Sequence, residues 1–328
     1  MSYFLGVDGG NTKTIALIAS ADGTVLGAGR GGCGDIYNHD GPEAAFREVE
    51  HAVGTALRHA GLRANEILAG CFSMAGADWP EDYNFLLKTF DQRRFGRTIT
   101  VVNDAIGAVR AGSPDGTGVA VVSGTGTAVG ARAPDGRWWS SSFWQEQAGS
   151  LELSQRALRA VYRAELEIDP PTSLTPRVLA FFGVATVEEV LHLLTARDHP
   201  RPPNLLDLTR ILLDEAHAGD PTARRIVVER GRLLGDYALA AARQVGIVES
   251  SFPLVLAGGV LRHPTPLLTG TIVARVHASA PRARAIRSHF EPVVGALLLA
   301  FVAAQIPVDP SLLARLAATL PPPTLFAT

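Results

Sequence analysis

Residues 8–14 read Asp-Gly-Gly-Asn-Thr-Lys-Thr and lie between two apolar runs, Tyr3 to Val7 and Thr14 to Ala19. If the runs are strands, they meet at a corner where glycines allow the backbone positive φ and let a ligand come close. Successive N–H groups at such a corner, here those of Gly9, Gly10 and Asn11, form an anion-binding concavity. Thr12, Lys13 and Thr14 add hydroxyl and ammonium donors, and Asp8 is placed to hold a cation directly or through water. This is neither a Gly-Lys-Ser/Thr loop opening a helix nor a Gly-x-Gly-x-x-Gly dinucleotide turn. Alone it reads as an ordinary tight hairpin. A second copy changes that: Val119 to Val122, then Ser123-Gly124-Thr125-Gly126-Thr127, then Ala128 to Ala133 and an Asp135-Gly136 turn. Residues 3–29 show the same order, with Asp22-Gly23 as the turn and Thr24 to Ala28 as a third strand. We read this as an internal duplication, one copy opening each half.

Two facing glycine–hydroxyl corners would clamp a polyphosphate. Phosphoryl transfer asks for positioned N–H groups, a metal bridging the phosphates, and a group that orients the attacking oxygen. The corners and Asp8 supply the first two. Asp104 supplies the third: it ends a strand (Thr98 to Val102, then Asn103-Asp104) where a helix begins. A lone Asp there caps the helix. In an open α/β sheet, however, it also faces the crevice where ligands bind, and a carboxylate there accepts a hydroxyl proton. Gly258-Gly259, after the strand Pro253 to Ala257, is a third close-approach site, suited to a base or ribose.

The elements that position these residues follow from the apolar pattern. A glycine-rich loop, Gly29 to Asn38, carries Asp35, Tyr37 and Asn38, and loops beyond strands commonly contact ligands. Helical spacing runs from Pro42 to Gly61, a strand from Ile67 to Met74, a turn through Gly76 and Asp78, and a helix from Glu81 to Phe90. Strands alternating with helices extend the opening meander in parallel. Residues 113–118 are turn-formers without an apolar side chain and divide the chain into 1–115 and 116–328. The second half is helix-rich, with spacing over Gly149 to Leu166, Thr175 to Arg197, Leu205 to His217 and Pro221 to Val245. A helix around Pro266 to His277, a short strand Ala285 to Arg287, and an apolar core helix Pro292 to Gln305 complete it. The proline-rich tail from Pro310 reads as a surface element. The expected class is α/β, two domains with mixed sheets facing a cleft.

At 328 residues and 47% apolar content, with 19% charged residues, the chain suits a soluble two-domain protein with a large interior. A net charge of −2 and no basic block argue against nucleic acid. Neither a signal-like start nor a run long enough to span a bilayer is present, so no membrane partner and a cytoplasmic setting are expected. Cys33 and Cys71, the two cysteines, form no metal pattern or disulfide framework. His217, His263, His277 and His289 show no ligand spacing and read as surface or packing residues. Trp138, Trp139 and Trp144 suit a sugar face or the core alike.

Taken in order, these motifs resemble the actin-like ATPase and sugar-kinase superfamily, and within it the N-acetylglucosamine kinases and related activator ATPases. The matching segments are residues 6–14, 102–105, 122–127, 256–260 and 292–297, together with the helix start at 218–223. The resemblance implies two ribonuclease H-like domains, with the last helices packing back on the first. It implies ATP and Mg²⁺ as cofactors, Asp104 as general base and Asp8 at the metal. Gly9 to Lys13, Ser123 to Thr127 and Gly258-Gly259 would contact ATP. Asp35, Tyr37, Asn38, Gly76, Asp78, Asn103, Asp104 and Gln147 would line the sugar pocket. A small sugar and ATP would be the partners, with a homodimer by analogy.

The chain departs from that family before the first long helix of the second half. A Gly-Trp-Gly stretch and then Gly-Asp-Glu-Gly-Ser are usual; residues 143–150 here read Phe-Trp-Gln-Glu-Gln-Ala-Gly-Ser. Gln147 stands where the sugar-binding aspartate belongs, and Asp35 and Tyr37 stand where N-acetylglucosamine kinases have Asn and Trp. The resemblance therefore implies a sugar kinase for an amino sugar or N-acetylhexosamine, with an altered acceptor pocket. The alternative is an ATPase activator or a sugar-sensing regulator that phosphorylates sugar poorly.

Overall fold

The opening apolar runs are strands β1 (Tyr3–Gly9), β2 (Thr14–Ser20) and β3 (Val25–Gly31), an antiparallel meander in a computed structural model that describes residues 2–197, 204–288 and 290–327. Helix α1 (Pro42–Ala60) starts on Pro42 and ends at Gly61, which takes the left-handed conformation at φ 66°. Strand β4 (Ile67–Met74), helix α2 (Pro80–Gln92), strand β5 (Thr98–Asn103) and helix α3 (Asp104–Gly112) follow. Because β4 pairs in parallel with β1, and β5 with β4, the first sheet has the order β3-β2-β1-β4-β5.

The second half repeats the plan. Strands β6 (Gly118–Ser123), β7 (Thr127–Arg132) and β8 (Trp138–Ser140) form the meander; then come helices α4 (Ser150–Glu165), α5 (Leu174–Phe182), α6 (Val187–Thr195), α7 (Leu208–Ala218) and α8 (Pro221–Gln244). Strand β9 (Pro253–Ala257), helix α9 (Leu267–His277) and strand β10 (Arg284–Arg287) complete a sheet of order β10-β9-β6-β7-β8, with β9 parallel to both β6 and β10. Reversed, this is the order of the first sheet. The duplication read from two glycine corners therefore extends to whole sheets.

Helices α10 (Pro292–Ala303) and α11 (Pro310–Thr319) return to the first sheet. Val293, Leu297 and Phe301 of α10 bury against Phe4, Ile15 and Leu17, and Leu312, Leu316 and Phe326 join them. The tail is thus a core element rather than the surface element expected from its prolines, because it covers the sheet face that α1 leaves open. Similarly, the single helical segment expected over Thr175 to Arg197 is two helices, broken at Gly183, which sits at φ 68°. Among the described residues no single helix is long and apolar enough to cross a membrane.

Helix α3 packs on β6, β7 and β9 on one side and on α10 on the other, so it joins the halves. Its crossing with α10 is backbone-close: a Cβ on Gly295 would lie 1.9 Å from the Gly107 carbonyl oxygen. Gly295→Ala should therefore force the helices apart and cost about 2–3 kcal/mol in equilibrium urea unfolding. A loss under about 0.5 kcal/mol would show that the crossing yields easily.

Candidate active site

Parallel strands end in one direction, so their carboxyl-end residues converge. Asp8 near the end of β1, Asp78 beyond β4, Asp104 after β5, Gly124 after β6 and Gly258 after β9 line a single cleft of about 490 Å³. This is the edge of an open sheet at which ligands bind. The two glycine corners face each other across it, and the Thr12 and Thr125 hydroxyls meet at 3.3 Å.

The first corner presents Gly10, Asn11, Thr12 and Lys13 to the cleft, whereas Gly9 lies beneath, where a Cβ would strike the Met74 side chain at 2.6 Å. Lys13 donates to the Phe326 carbonyl. Burial lowers its ammonium pKa, although Glu291 opposes that. From the second corner, Gly124, Thr125, Gly126 and Thr127 line the cleft, while Ser123 is wholly buried and donates to the Ala148 carbonyl at 2.9 Å. Gly149 and Ser150 hold the second corner in place. A Cβ on Gly149 would lie 2.4 Å from the Thr125 and Gly126 carbonyl oxygens, and the Ser150 N–H donates to the Gly124 carbonyl. Gly258 at φ 97° passes so close to Ser123 that a Cβ would lie 2.3 Å from its carbonyl oxygen, whereas Gly259 opens to free space.

Asp104 does not cap its helix. Asn103 does, its side chain accepting from the Ala105 N–H at 3.1 Å, while its amide donates to Asp78 Oδ1 at 3.1 Å and to the Ala77 carbonyl. Asn103 so fixes both neighbours and leaves the Asp104 carboxylate for the cleft. Burial pushes the Asp104 pKa up to about 7, helped by the charges of Asp8 and Asp78. Asp8 is likewise pushed up to about 7, by burial first, with Lys13 opposing and Glu291 adding. Asp78 rises to about 6, again through burial, against a 2.7 Å hydrogen bond from Ser142. Clustered perturbed carboxylates in a cleft mark a functional site.

The loop residues divide. Asp35 and Gln147 line the cleft, and Gln147 accepts from the Thr127 N–H at 2.9 Å. Tyr37 stands half-exposed with its hydroxyl donating to Asp82 at 3.0 Å. Asn38 holds its own loop by donating to the Asp35 and Gly41 carbonyls, and Gly76 packs under Asp35 and Ile36. None of Tyr37, Asn38 and Gly76 lines the cleft. Ser142, Phe143, Arg262, Glu291 and Phe326 do, and sequence reasoning passed over them. Ser142 holds φ 39°, a strained conformation for serine of the kind that gathers at functional sites. Trp144 faces solvent, and Trp138 packs on Tyr83 with ring centroids 5.5 Å apart. Among the histidines, His263 pairs with Asp214 and His277 contacts the Ala283 carbonyl, while His289 lies outside the described residues.

The residues fit a magnesium–nucleotide pair. At the two corners the Gly10, Gly124 and Thr127 N–H groups are used within the protein, which leaves those of Asn11, Thr12, Thr125 and Gly126 for an anion, and Asp8 lines the same cleft with hard oxygens. Among the described residues no group of three or more His, Cys, Asp or Glu side chains could hold a metal unaided. Mg²⁺ suits such a site, since it is held by one or two carboxylates plus substrate phosphates.

Comparison with known proteins agrees with this geometry. An N-acetylmuramic acid/N-acetylglucosamine kinase from Clostridium acetobutylicum is 27% identical over 267 residues, 80% of this chain and 87% of that protein. An N-acetyl-D-glucosamine kinase from Dictyostelium discoideum is 25% identical over 312 residues, 90% of this chain and 97% of that protein. The solved structure of a candidate N-acetylglucosamine kinase from Chromobacterium violaceum superposes with a TM-score of 0.67 at 24% identity, covering 91% of this chain and 99% of that one, and shares the fold. The model of the BadF/BadG/BcrA/BcrD ATPase family matches residues 5–300, nearly the whole sequence, and the chain belongs to that family.

Proposed function

We propose that the chain is an ATP- and Mg²⁺-dependent kinase that transfers the γ-phosphoryl group of ATP to a hydroxyl of an amino sugar or N-acetylhexosamine, with N-acetylglucosamine and glucosamine favoured. The observation that carries this is the Asp104 carboxylate, released from capping by Asn103 and lining the same cleft as both glycine corners. The names of the kinases it resembles support the acceptor class.

Thr12, Lys13 and the N–H groups of Thr125 and Gly126 would hold the phosphates in line, since the Gly124 and Thr127 N–H groups are engaged with the Gly126 carbonyl and Gln147. Asp8 would ligate Mg²⁺, which neutralises charge building on the phosphate oxygens. Asp104 would take the proton of the attacking hydroxyl as its oxygen bonds to the γ-phosphorus. The bond from that phosphorus to the β-phosphate bridging oxygen breaks, and ADP leaves with the electron pair. A base with a pKa near 7 suits this work at neutral pH.

The activator reading loses ground on the cysteines. An iron–sulfur cluster shared between subunits needs cysteines that reach the surface, yet Cys71 is wholly buried within β4. A sensing role is favoured by Gln147, an amide where the family resemblance places a carboxylate. A coupled ADP-release screen over glucosamine, N-acetylglucosamine, N-acetylmannosamine, glucose and anhydro-muramic sugars separates the two. The kinase reading expects sugar-dependent ADP release with at least one of them; silence across the panel favours the sensor.

A further inference from the structure

We propose that the acceptor end of the cleft selects a sugar bearing a protonated amine, held between the carboxylates of Asp35 and Asp78, over its neutral N-acetylated counterpart. The inference rests on the kinase reading and names the acceptor class for that same site.

Asp35 and Asp78 reach the cleft from separate loops, one after β3 and one after β4. Asp35 Oδ1 accepts from the Tyr37 N–H at 2.9 Å. Asp78 Oδ1 accepts from Asn103 Nδ2 at 3.1 Å and from Ser142 Oγ at 2.7 Å. Among the described residues no hydrogen bond reaches Oδ2 of either. The cations lining the cleft are Lys13 and Arg262. Lys13 bonds the Phe326 carbonyl beside the first corner, and Arg262 pairs with Glu291 at 2.7 Å near Gly258-Gly259. Both therefore belong to the nucleotide end, and two carboxylates face the acceptor without a counter-charge.

Closing the cleft over a neutral sugar would strip water from these carboxylates and return no charge. Sugar hydroxyls donate protons but do not neutralise, whereas an ammonium brings three donors and the missing charge. An aromatic wall points the same way independently. The Phe143 ring lines the cleft, edge-on to Tyr37 at 5.2 Å and nearly parallel to Trp79 at 6.2 Å. Aromatic faces attract cations and cover the C–H face of a sugar ring. Across the site, Gln147 is an amide engaged with the Thr127 N–H.

The test compares initial rates with glucosamine, N-acetylglucosamine and glucose at pH 7 and saturating Mg-ATP. In the unaltered protein kcat/KM for glucosamine should exceed that for N-acetylglucosamine by about 10²-fold. Asp35→Asn should shrink that ratio at least about tenfold, a readout from which any loss of folded protein cancels. A preference for N-acetylglucosamine, equal use of both, or an unchanged ratio in Asp35→Asn overturns the proposal. If no hexose is phosphorylated, the kinase reading falls separately, and calorimetric titration of the unaltered protein decides the amine. Glucosamine binding at least about tenfold tighter than glucose supports it; equal or absent binding overturns it.

Discussion

Asp104→Asn should lower kcat by about 10³-fold while leaving the Kd for Mg-ATP within a few-fold of its original value. The amide keeps the shape of the carboxylate and removes its capacity to accept a proton, and general-base contributions are typically about 10²–10⁴-fold. The helix start survives, because Asn103 rather than Asp104 caps α3. Single-turnover rates and equilibrium nucleotide binding separate the two effects. A variant with near-original turnover on the true sugar would remove Asp104 from the chemistry.

Asp8→Asn carries the second large effect, and it has opposite signs for activity and stability. The carboxylate faces the first phosphate corner, so its loss should weaken Mg²⁺ retention and cut kcat/KM for Mg-ATP by about 10²-fold or more, partly recovered at high Mg²⁺. Stability goes the other way. Burial raises the folded pKa from 3.8 to about 7, so the folded state binds a proton that the unfolded chain has released. The stability that the neutral carboxyl confers is present below pH 4 and is lost progressively as pH rises to about 7. The unliganded Asn variant should therefore match the original protein near pH 4 and exceed it above pH 7. The gain should be about 1–2 kcal/mol once the water reaching this cleft-lining group is allowed for. Urea unfolding at the two pH values checks this. Equal stability at pH 8 would mean that Asp8 ionises without strain.

The features visible in the sequence are those encoded locally. Glycines and hydroxyls between two short apolar runs imply a hairpin corner wherever they occur, and the repetition at residues 123–127 implied a second sheet. Asp104 was legible as a strand-end carboxylate, although its release from capping depends on Asn103, one residue away and equally able to cap. What escaped notice is non-local. Ser142 and Phe143 reach Asp78, Tyr37 and Trp79 from more than sixty residues away, through a backbone conformation that no serine advertises. Arg262 and Glu291 meet only because α10 folds back beside the first sheet. Apolar periodicity likewise carried through Gly183, hiding a helix break that a positive φ imposes.

The pH dependence of phosphoryl transfer in a single turnover, measured with the best sugar from the screen and limiting labelled ATP, tests the cleft most directly. Between pH 5.5 and 8.5 the rate should rise toward neutral pH and then level off, because the hydroxyl proton passes to Asp104 only when its burial-raised carboxyl is ionised, and Asp8 ionises over the same range. Asp104→Asn should lose the part of that rise that Asp104 contributes and run about 10³-fold lower. A variant that keeps both the rise and the rate would contradict the assignment, since the transferred proton would then pass to another group.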